Sequence, residues 1–327
     1  MEKLEQSGLS KEELITVFKQ VLMGRRLDER LWQLTRIGKS SFNISGQGAE
    51  LAQVAMAMAF ETDKDYFLPY YRDMTACLVW GMTPKDIIMA SFGKDADPNS
   101  HGRQMPNHYG SKEHRIVSHS STVSTQMPLA TGVAYAAQLE NADYIALTTT
   151  GEGSANQGEV QEAMNFAGVK KLPVVFVIEN NGYAISVGTR EQYANEDFSH
   201  RGPAYGFPGY TVDGNDFVAA YKACKEAADR ARSGEGPTLI ELVVARLTSH
   251  SADDDQSIYR SEEELTELKE KDPLAAFTKQ MIDQGYLTEE EIEEIEEKIK
   301  QEINEATDAA EAEADPSADS LYDQVWA

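Results

Sequence analysis

Glu152, Asn181 and Tyr183 have the types and spacing to hold a hard cation against a phosphate. Glu152 sits between Gly151 and Gly153, and Asn180, Asn181, Gly182 and Tyr183 follow after one strand–helix–strand length of chain. Magnesium takes about six oxygen ligands and usually keeps substrate phosphates among them. The Glu152 carboxylate, the Asn181 side-chain oxygen and the Tyr183 carbonyl would supply three. Two diphosphate oxygens and a water would complete the shell. Gly153 would let the backbone approach the phosphate, and the helix start that follows is a natural anion site. Each piece alone has a plainer reading. A GxG after a strand is a common tight turn, and GEGSAN lacks the third glycine of the dinucleotide fingerprint. Asn-Asn-Gly is by default a turn. The combination, with strand, helix and strand between its halves, is much more specific.

The elements around these residues must bring them together. Tyr144 to Thr149 is short, apolar and rich in strand formers, so it reads as a buried strand. A helix follows, with Val160, Ala163, Met164 and Ala167 on one face. Pro173 opens a second strand, Val174 to Ile178. Such a βαβ unit is right-handed, and its ligand crevice lies at the carboxyl ends of the strands. Tyr66 to Asp73 reads as another short strand with a polar end, and Thr238 to Ala245 as a further buried one. GYTVDGND reads as a strand, a turn and the entry to the helix Phe217 to Ser233. The expected fold is α/β, a doubly wound, mostly parallel sheet with helices on both faces.

Helices are also expected at both ends of the chain. Ser10 and Glu13 form a capping box ahead of Leu14, Val17, Phe18, Val21 and Leu22. A small-residue helix runs from Glu50 to Phe60, and Thr83-Pro84 starts another. From Glu262 the chain is acidic and helical, with Ile292, Ile295, Ile299 and Ile303 at helical spacing. Ala306 to Asp319 reads as an acidic linker, and the terminal LYDQVWA as a docking segment. The expected division is a main α/β domain over 1–265 and an acidic helical extension over 266–327.

Composition excludes several function classes. A formal net charge of −25 in 327 residues disfavours nucleic-acid binding. No apolar run approaches membrane-span length. The start, MEKLEQSGLSKEEL, resembles neither a secretory signal nor a transit peptide. Cys77 and Cys224 form neither a metal spacing nor a disulfide framework. A cytoplasmic protein is expected. The long polar loop from Asp95 to Ile116 has the character of a functional or mobile segment. Its His101 and His108 lack the context of a metal site. The hydroxyl cluster from Ser118 to Gln126 would on its own simply cap a helix. Arg246 to Arg260 would on composition be a solvated acidic loop with a lone histidine.

GEGSANQGEVQEAMNFA and NNGYAIS resemble the thiamine diphosphate motif, usually GDG followed by NN. Glu152 stands where many members carry Asp; it keeps the ligand type and adds a methylene. More narrowly, the two segments resemble the alpha subunit of a 2-oxo acid dehydrogenase decarboxylase component, and the likeness extends over nearly the whole chain. GRQMPNHYG is similar to the branched-chain (2-oxoisovalerate) members, whereas pyruvate and acetoin members carry a glycine-rich GKGGSMH version.

The resemblance implies thiamine diphosphate and magnesium, with Glu152, Asn181 and Tyr183 as metal ligands. It implies that Tyr71 and Arg72 grip the diphosphate, a task suited to the planar guanidinium fork. It implies cofactor contacts from Gly151, Gly153, Ser154 and Glu179, with Ser121 and Val123 near the thiamine. A potassium ion is expected among Ser120, Thr122, Thr125 and Gln126. Thr122 replaces a proline and Val123 a leucine of animal branched-chain members; a carbonyl ligand survives the first change. The histidine–serine pair of the family maps to His250 and Ser251. His250, near its ordinary pKa, is expected to contact the diphosphate and help pass the acyl group onward. Ser251 matches a phosphorylation switch of animal members, and phosphate beside Asp253 to Asp255 would disorder the loop by like-charge repulsion.

The implied activity is oxidative decarboxylation of branched-chain 2-oxo acids, with acyl transfer to the lipoyl group of an acyltransferase partner. The glutamate that activates the aminopyrimidine belongs to a separate beta subunit in this family. The chain alone is therefore expected to be inactive and to work in an α2β2 assembly. A pyruvate or acetoin substrate, or a scaffold that has lost the cofactor, are the alternatives.

Overall fold

A computed structural model describes residues 3–195 and 197–323. Its centre is a five-stranded sheet: β1 (Tyr66–Leu68), β2 (Ala146–Gly151), β3 (Val174–Asn180), β6 (Gly209–Asp213) and β7 (Thr238–Val243). Two short strands, β4 (Tyr183–Ala184) and β5 (Val187–Gly188), make a hairpin beyond β3. The large sheet has the order β1-β2-β3-β7-β6, and every neighbouring pair is parallel. The helices are α1 (Lys11–Arg36), α2 (Glu50–Met58), α3 (Met74–Val79), α4 (Pro84–Phe92), α5 (Gln126–Glu140), α6 (Gly158–Lys170), α7 (Arg201–Ala204), α8 (Phe217–Arg232), α9 (Glu262–Glu270), α10 (Pro273–Asp283) and α11 (Glu289–Glu311). Among the described residues, no helix is long and apolar enough to cross a membrane.

Side chains alternate across a strand, and β3 shows where each set goes. Val174, Phe176 and Ile178 pack in one core with Met127 and Ala134 of α5 and Val160, Ala163, Met164 and Ala167 of α6. Val175 and Val177 pack in a second core with residues of α1, α2 and α8. Both faces of the sheet are covered, so the central strands are continuous apolar runs rather than alternating ones. The doubly wound α/β fold read from the sequence is the fold observed.

Several boundaries move, for local reasons. The strand expected from Tyr144 starts at Ala146. Tyr144 instead packs edge-on against Tyr66, and Asp65 accepts the Ile145 N–H before the ladder begins. The strand expected over Tyr66 to Asp73 stops at Leu68, because the Asp73 carboxylate accepts the Tyr70 N–H and closes a turn. That turn presents Tyr71 and Arg72. The acidic linker expected from Ala306 is still helix as far as Glu311. Thr307 and Ala310 are buried, and Arg30 donates to the Thr307 hydroxyl. Ile295, Ile299 and Ile303 face the body, as their spacing requires. Of the terminal segment, Leu321 and Tyr322 are exposed on this chain, and residues 324–327 lie outside the described residues.

Candidate active site

The carboxyl ends of β1, β2, β3 and β7 open onto one cleft of about 410 Å³. Gly151 closes β2, beside Glu179 of β3. Glu152 then turns into the cleft wall and Asn181 does so from β3. His250 comes from the loop after β7, and Tyr71 and Arg72 from the turn after β1. All five line the cleft, together with Ser120, Ser121, Val123, Gly151, Gly153, Ser154 and Tyr183.

Glu152 is only 1 % exposed. One carboxylate oxygen, Oε2, accepts the Asn181 N–H at 3.4 Å; the other, Oε1, accepts no well-formed hydrogen bond among the described residues, with the Gln192 amide beside the carboxylate. Burial raises its pKa. A buried carboxylate is costly to keep charged; the Arg72 charge offsets part of that cost, and a cation in the cleft would offset more. Asn181 Oδ1 accepts the Tyr183 N–H at 3.3 Å, which orients the amide over the same corner. Among the described residues no group of three His, Cys, Asp or Glu side chains converges on a metal. A cation here would rest on one carboxylate, one amide and one carbonyl.

Arg72 is buried, and its fork is already engaged. Nη1 donates to the Ser45 carbonyl at 2.6 Å, and Nη2 donates to the His250 carbonyl at 3.0 Å and lies 2.9 Å from His250 Nδ1. A guanidinium only donates, so Nδ1 accepts and the imidazole proton sits on Nε2. Burial, then the charges of Arg72 and Arg246, push the His250 pKa down to about 4. This corrects the expectation of a histidine near its ordinary value: at neutral pH His250 is an uncharged N–H donor. Arg72 also lies over the Tyr71 ring, 5.3 Å from its centroid, so Tyr71, Arg72 and His250 form one unit. Ser251, next to it, is buried.

Other placements differ from expectation. Glu179 does not line the cleft. It lies beneath, fully buried, accepting from the Tyr70 hydroxyl at 3.0 Å and from Gln53 at 3.1 Å, with Asp73 beside it. Its strand position points it into the layer under β3 rather than along the strand end. At Gly153 an added Cβ would lie 2.4 Å from Ala184 Cβ, so the glycine lets the β4–β5 hairpin close over the turn. A turn of 3-10 helix, Ser154–Asn156, separates it from α6. Thr122, Thr125 and Gln126 stand away from the cleft. Gln126 is buried, donates to the Thr149 carbonyl at 2.7 Å and leaves Oε1 without a partner among the described residues. That oxygen belongs to a side chain lining a small void also lined by Ser120, Ser124 and Thr150. The Thr125 hydroxyl donates to the Thr122 carbonyl at 3.2 Å.

The rest of the wall was not placed from sequence, although the segment bearing Met105 and His108 was singled out by its likeness to branched-chain members. Phe42, Ile44, Met105, His108 and His119 also line the cleft. Burial and His108 push the His119 pKa down to about 3. Arg246 was read only as part of a loop. It is buried and donates to the Ile185 carbonyl at 3.0 Å and the Tyr259 hydroxyl at 2.8 Å, bracing the hairpin against the His250 loop. An apolar pair in a serine-rich loop, Phe42 and Ile44, was the available signal, since nothing periodic explains it.

Residues 18–319 match the protein family described as Dehydrogenase E1 component. The chain belongs to this family. It is 50% identical over 320 residues to the 2-oxoisovalerate dehydrogenase subunit alpha of Bacillus subtilis, covering 98% of this chain and 97% of that one. It is 36% identical to the mitochondrial 2-oxoisovalerate dehydrogenase subunit alpha of Mus musculus, over 98% of this chain and 73% of that one. The pyruvate dehydrogenase E1 component subunit alpha of Zymomonas mobilis is also 36% identical, over 96% of this chain and 89% of that one. Family membership implies dependence on thiamine diphosphate and, for an alpha subunit, a beta subunit and further components of a complex.

Proposed function

We propose that this chain is the alpha subunit of a branched-chain 2-oxo acid dehydrogenase and holds the diphosphate half of its thiamine diphosphate site. The observation that carries the reading is the buried Glu152, whose Oε1 accepts no well-formed hydrogen bond among the described residues, set beside Asn181 in the cleft that Arg72 and His250 share. Thiamine diphosphate supplies, when bound, the electron sink that decarboxylation of a 2-oxo acid requires. Glu152, the Asn181 amide oxygen and the Tyr183 carbonyl would hold magnesium on its diphosphate. Tyr71 and Arg72 shape the phosphate end, and His250 offers its Nε2–H there. Gly151, Gly153 and Ser154 bring backbone close to the same end, and Ser121 and Val123 line the thiamine side. Glu179 acts from below, through Tyr70. Ser120, Thr122, Thr125 and Gln126 would hold a potassium ion, a reading supported by the Gln126 Oε1, which has no partner among the described residues.

Phe42, Ile44 and Met105 give the cleft an apolar wall suited to a branched side chain. The 50% identity to a 2-oxoisovalerate dehydrogenase subunit, against 36% to a pyruvate dehydrogenase subunit, favours the same substrate class. The working form would be α2β2, with a lipoylated acyltransferase receiving the acyl group. Residues 1–265 would carry the cofactor site, and 266–327 would brace α1 and α4. The test is carbon dioxide release and lipoyl acylation in the assembly reconstituted with a beta subunit, thiamine diphosphate and magnesium. Turnover favouring 2-oxoisovalerate over pyruvate supports the reading. Preference for pyruvate would move the substrate assignment to the second class, and no thiamine-dependent turnover would remove the enzymatic reading.

A further inference from the structure

His119 has a place in the cleft wall that no role accounts for so far. It is 4 % exposed, and neither ring nitrogen has a hydrogen-bond partner among the described residues. Its ring lies nearly parallel to that of His108, with centroids 4.8 Å apart and an interplanar angle of 14°. His108 Nδ1 is 3.2 Å from the Pro106 carbonyl, which can only accept, so Nδ1 donates. His108 Nε2 lies 2.7 Å from the Ser121 hydroxyl and, in the neutral ring, accepts from it. The two edges of the His108 ring are therefore held by hydrogen bonds, and one face is held by His119. Asn107, next in the chain, is bonded to both the N–H and the carbonyl of Ile44, at 3.0 and 3.3 Å. The loop bearing Met105 and His108 is thus stitched to the segment bearing Phe42 and Ile44.

We propose that His119 is a positioning residue for substrate selection: its ring is the platform that keeps His108 flat against the wall and so fixes the width of the apolar chamber. A hydrogen-bond role does not explain His119, since both nitrogens lack a partner among the described residues. What it contributes to its surroundings is a planar face, and stacked rings hold one another in a preferred geometry. Without that face the His108 ring can tilt into the vacated space, and the chamber widens on the side shared with Met105. His119 would act through His108 and not on the reacting atoms, so binding of the side chain should suffer more than the chemical step.

The inference rests on the reading of the cleft as a 2-oxo acid site. The test uses the full assembly with beta subunit, thiamine diphosphate and magnesium, and two variants, His119→Ala and His119→Phe. In His119→Ala the KM for 2-oxoisovalerate should rise about 3- to 10-fold, the range a lost ring stack allows, while kcat and the affinity for thiamine diphosphate stay near wild type. His119→Phe restores a ring face and should return KM to within about 2-fold of wild type. The imidazole resonances of His108, followed by NMR, should shift in His119→Ala and stay near the wild-type pattern in His119→Phe. Equal KM in His119→Ala and wild type would overturn the proposal, as would a phenylalanine variant as impaired as the alanine one. If wild type turns over no 2-oxo acid, the functional reading fails. The His108 resonances still decide whether the stack positions the ring.

Discussion

The two walls of the cleft are built in opposite ways. One is the end of the sheet: Gly151, Glu152, Asn181 and the turn at Tyr71-Arg72 stand where three paired strands stop. Their positions follow from the ladder and from two cores that cover both faces. The other wall is loop, from Phe42 to Ile44 and from Met105 to His108, with no regular structure of its own. Its shape depends on single side chains. Buried Asp97 gathers N–H and hydroxyl groups of Asn99, Ser100 and Gly102, Asn107 stitches the loop to Ile44, and His108 ties it to Ser121. A wall set by the sheet suits groups that must meet charge at fixed distance. A wall set by exchangeable side chains suits the part of the substrate that differs between relatives.

That contrast can be broken from either side. The largest effect is expected on the sheet side. Arg72→Leu removes the donors to Ser45 and His250 at once, and turnover should fall about 10- to 100-fold, the range for groups that orient a metal or phosphate site. Steady-state kinetics should show the loss with every 2-oxo acid. On the loop side Met105→Ala should act selectively. Removing a contact from an apolar chamber is worth about 1–3 kcal/mol, so kcat/KM for 2-oxoisovalerate should fall while that for pyruvate changes little. A uniform loss would show that the loop wall is not the selective one.

Smaller effects test the strand-end loops. His250 has its pKa lowered to about 4, against an unfolded value of about 6.5. The unfolded chain therefore binds the proton first as pH falls. The contribution of neutral His250 to stability is full above about 6.5 and declines as pH drops toward 4. NMR titration of its imidazole in the cofactor-free assembly should show no protonation at pH 6, and protonation there would contradict the placement against Arg72. The smallest expected change is at Gly153. Alanine there must push Ala184 aside, which costs about 1–3 kcal/mol. At Gly158 an added Cβ meets nothing within 4 Å. Thermal melts of Gly153→Ala and Gly158→Ala should differ accordingly, with only the first lowering Tm.

The same contrast explains how much was legible in the sequence. The strand–helix–strand segment bearing Glu152 and Asn181 has its own periodicity, so its fold and its residues could be read together. The capping box at Ser10 and the apolar spacing of α6 and α11 were equally local. The loop wall has no period. Phe42 and Met105 come together through Asn107 and Ile44, contacts between segments 63 residues apart that leave no trace in spacing. Direction was also invisible. Glu179 and Asn181 are two residues apart, yet one enters the core and the other the cleft. Arg72 was legible as a donor fork, but not that Ser45 and His250 already occupy it.

The most direct test of the account is the binding of magnesium thiamine diphosphate to the reconstituted assembly, measured by titration calorimetry for wild type and Glu152→Ala. Wild type should bind saturably and with magnesium dependence, and the variant should bind at least about 10-fold more weakly, with the assembly intact and the melting profile little changed. Equal affinity in the two proteins would contradict the assignment of Glu152 as the anchor of the diphosphate half-site.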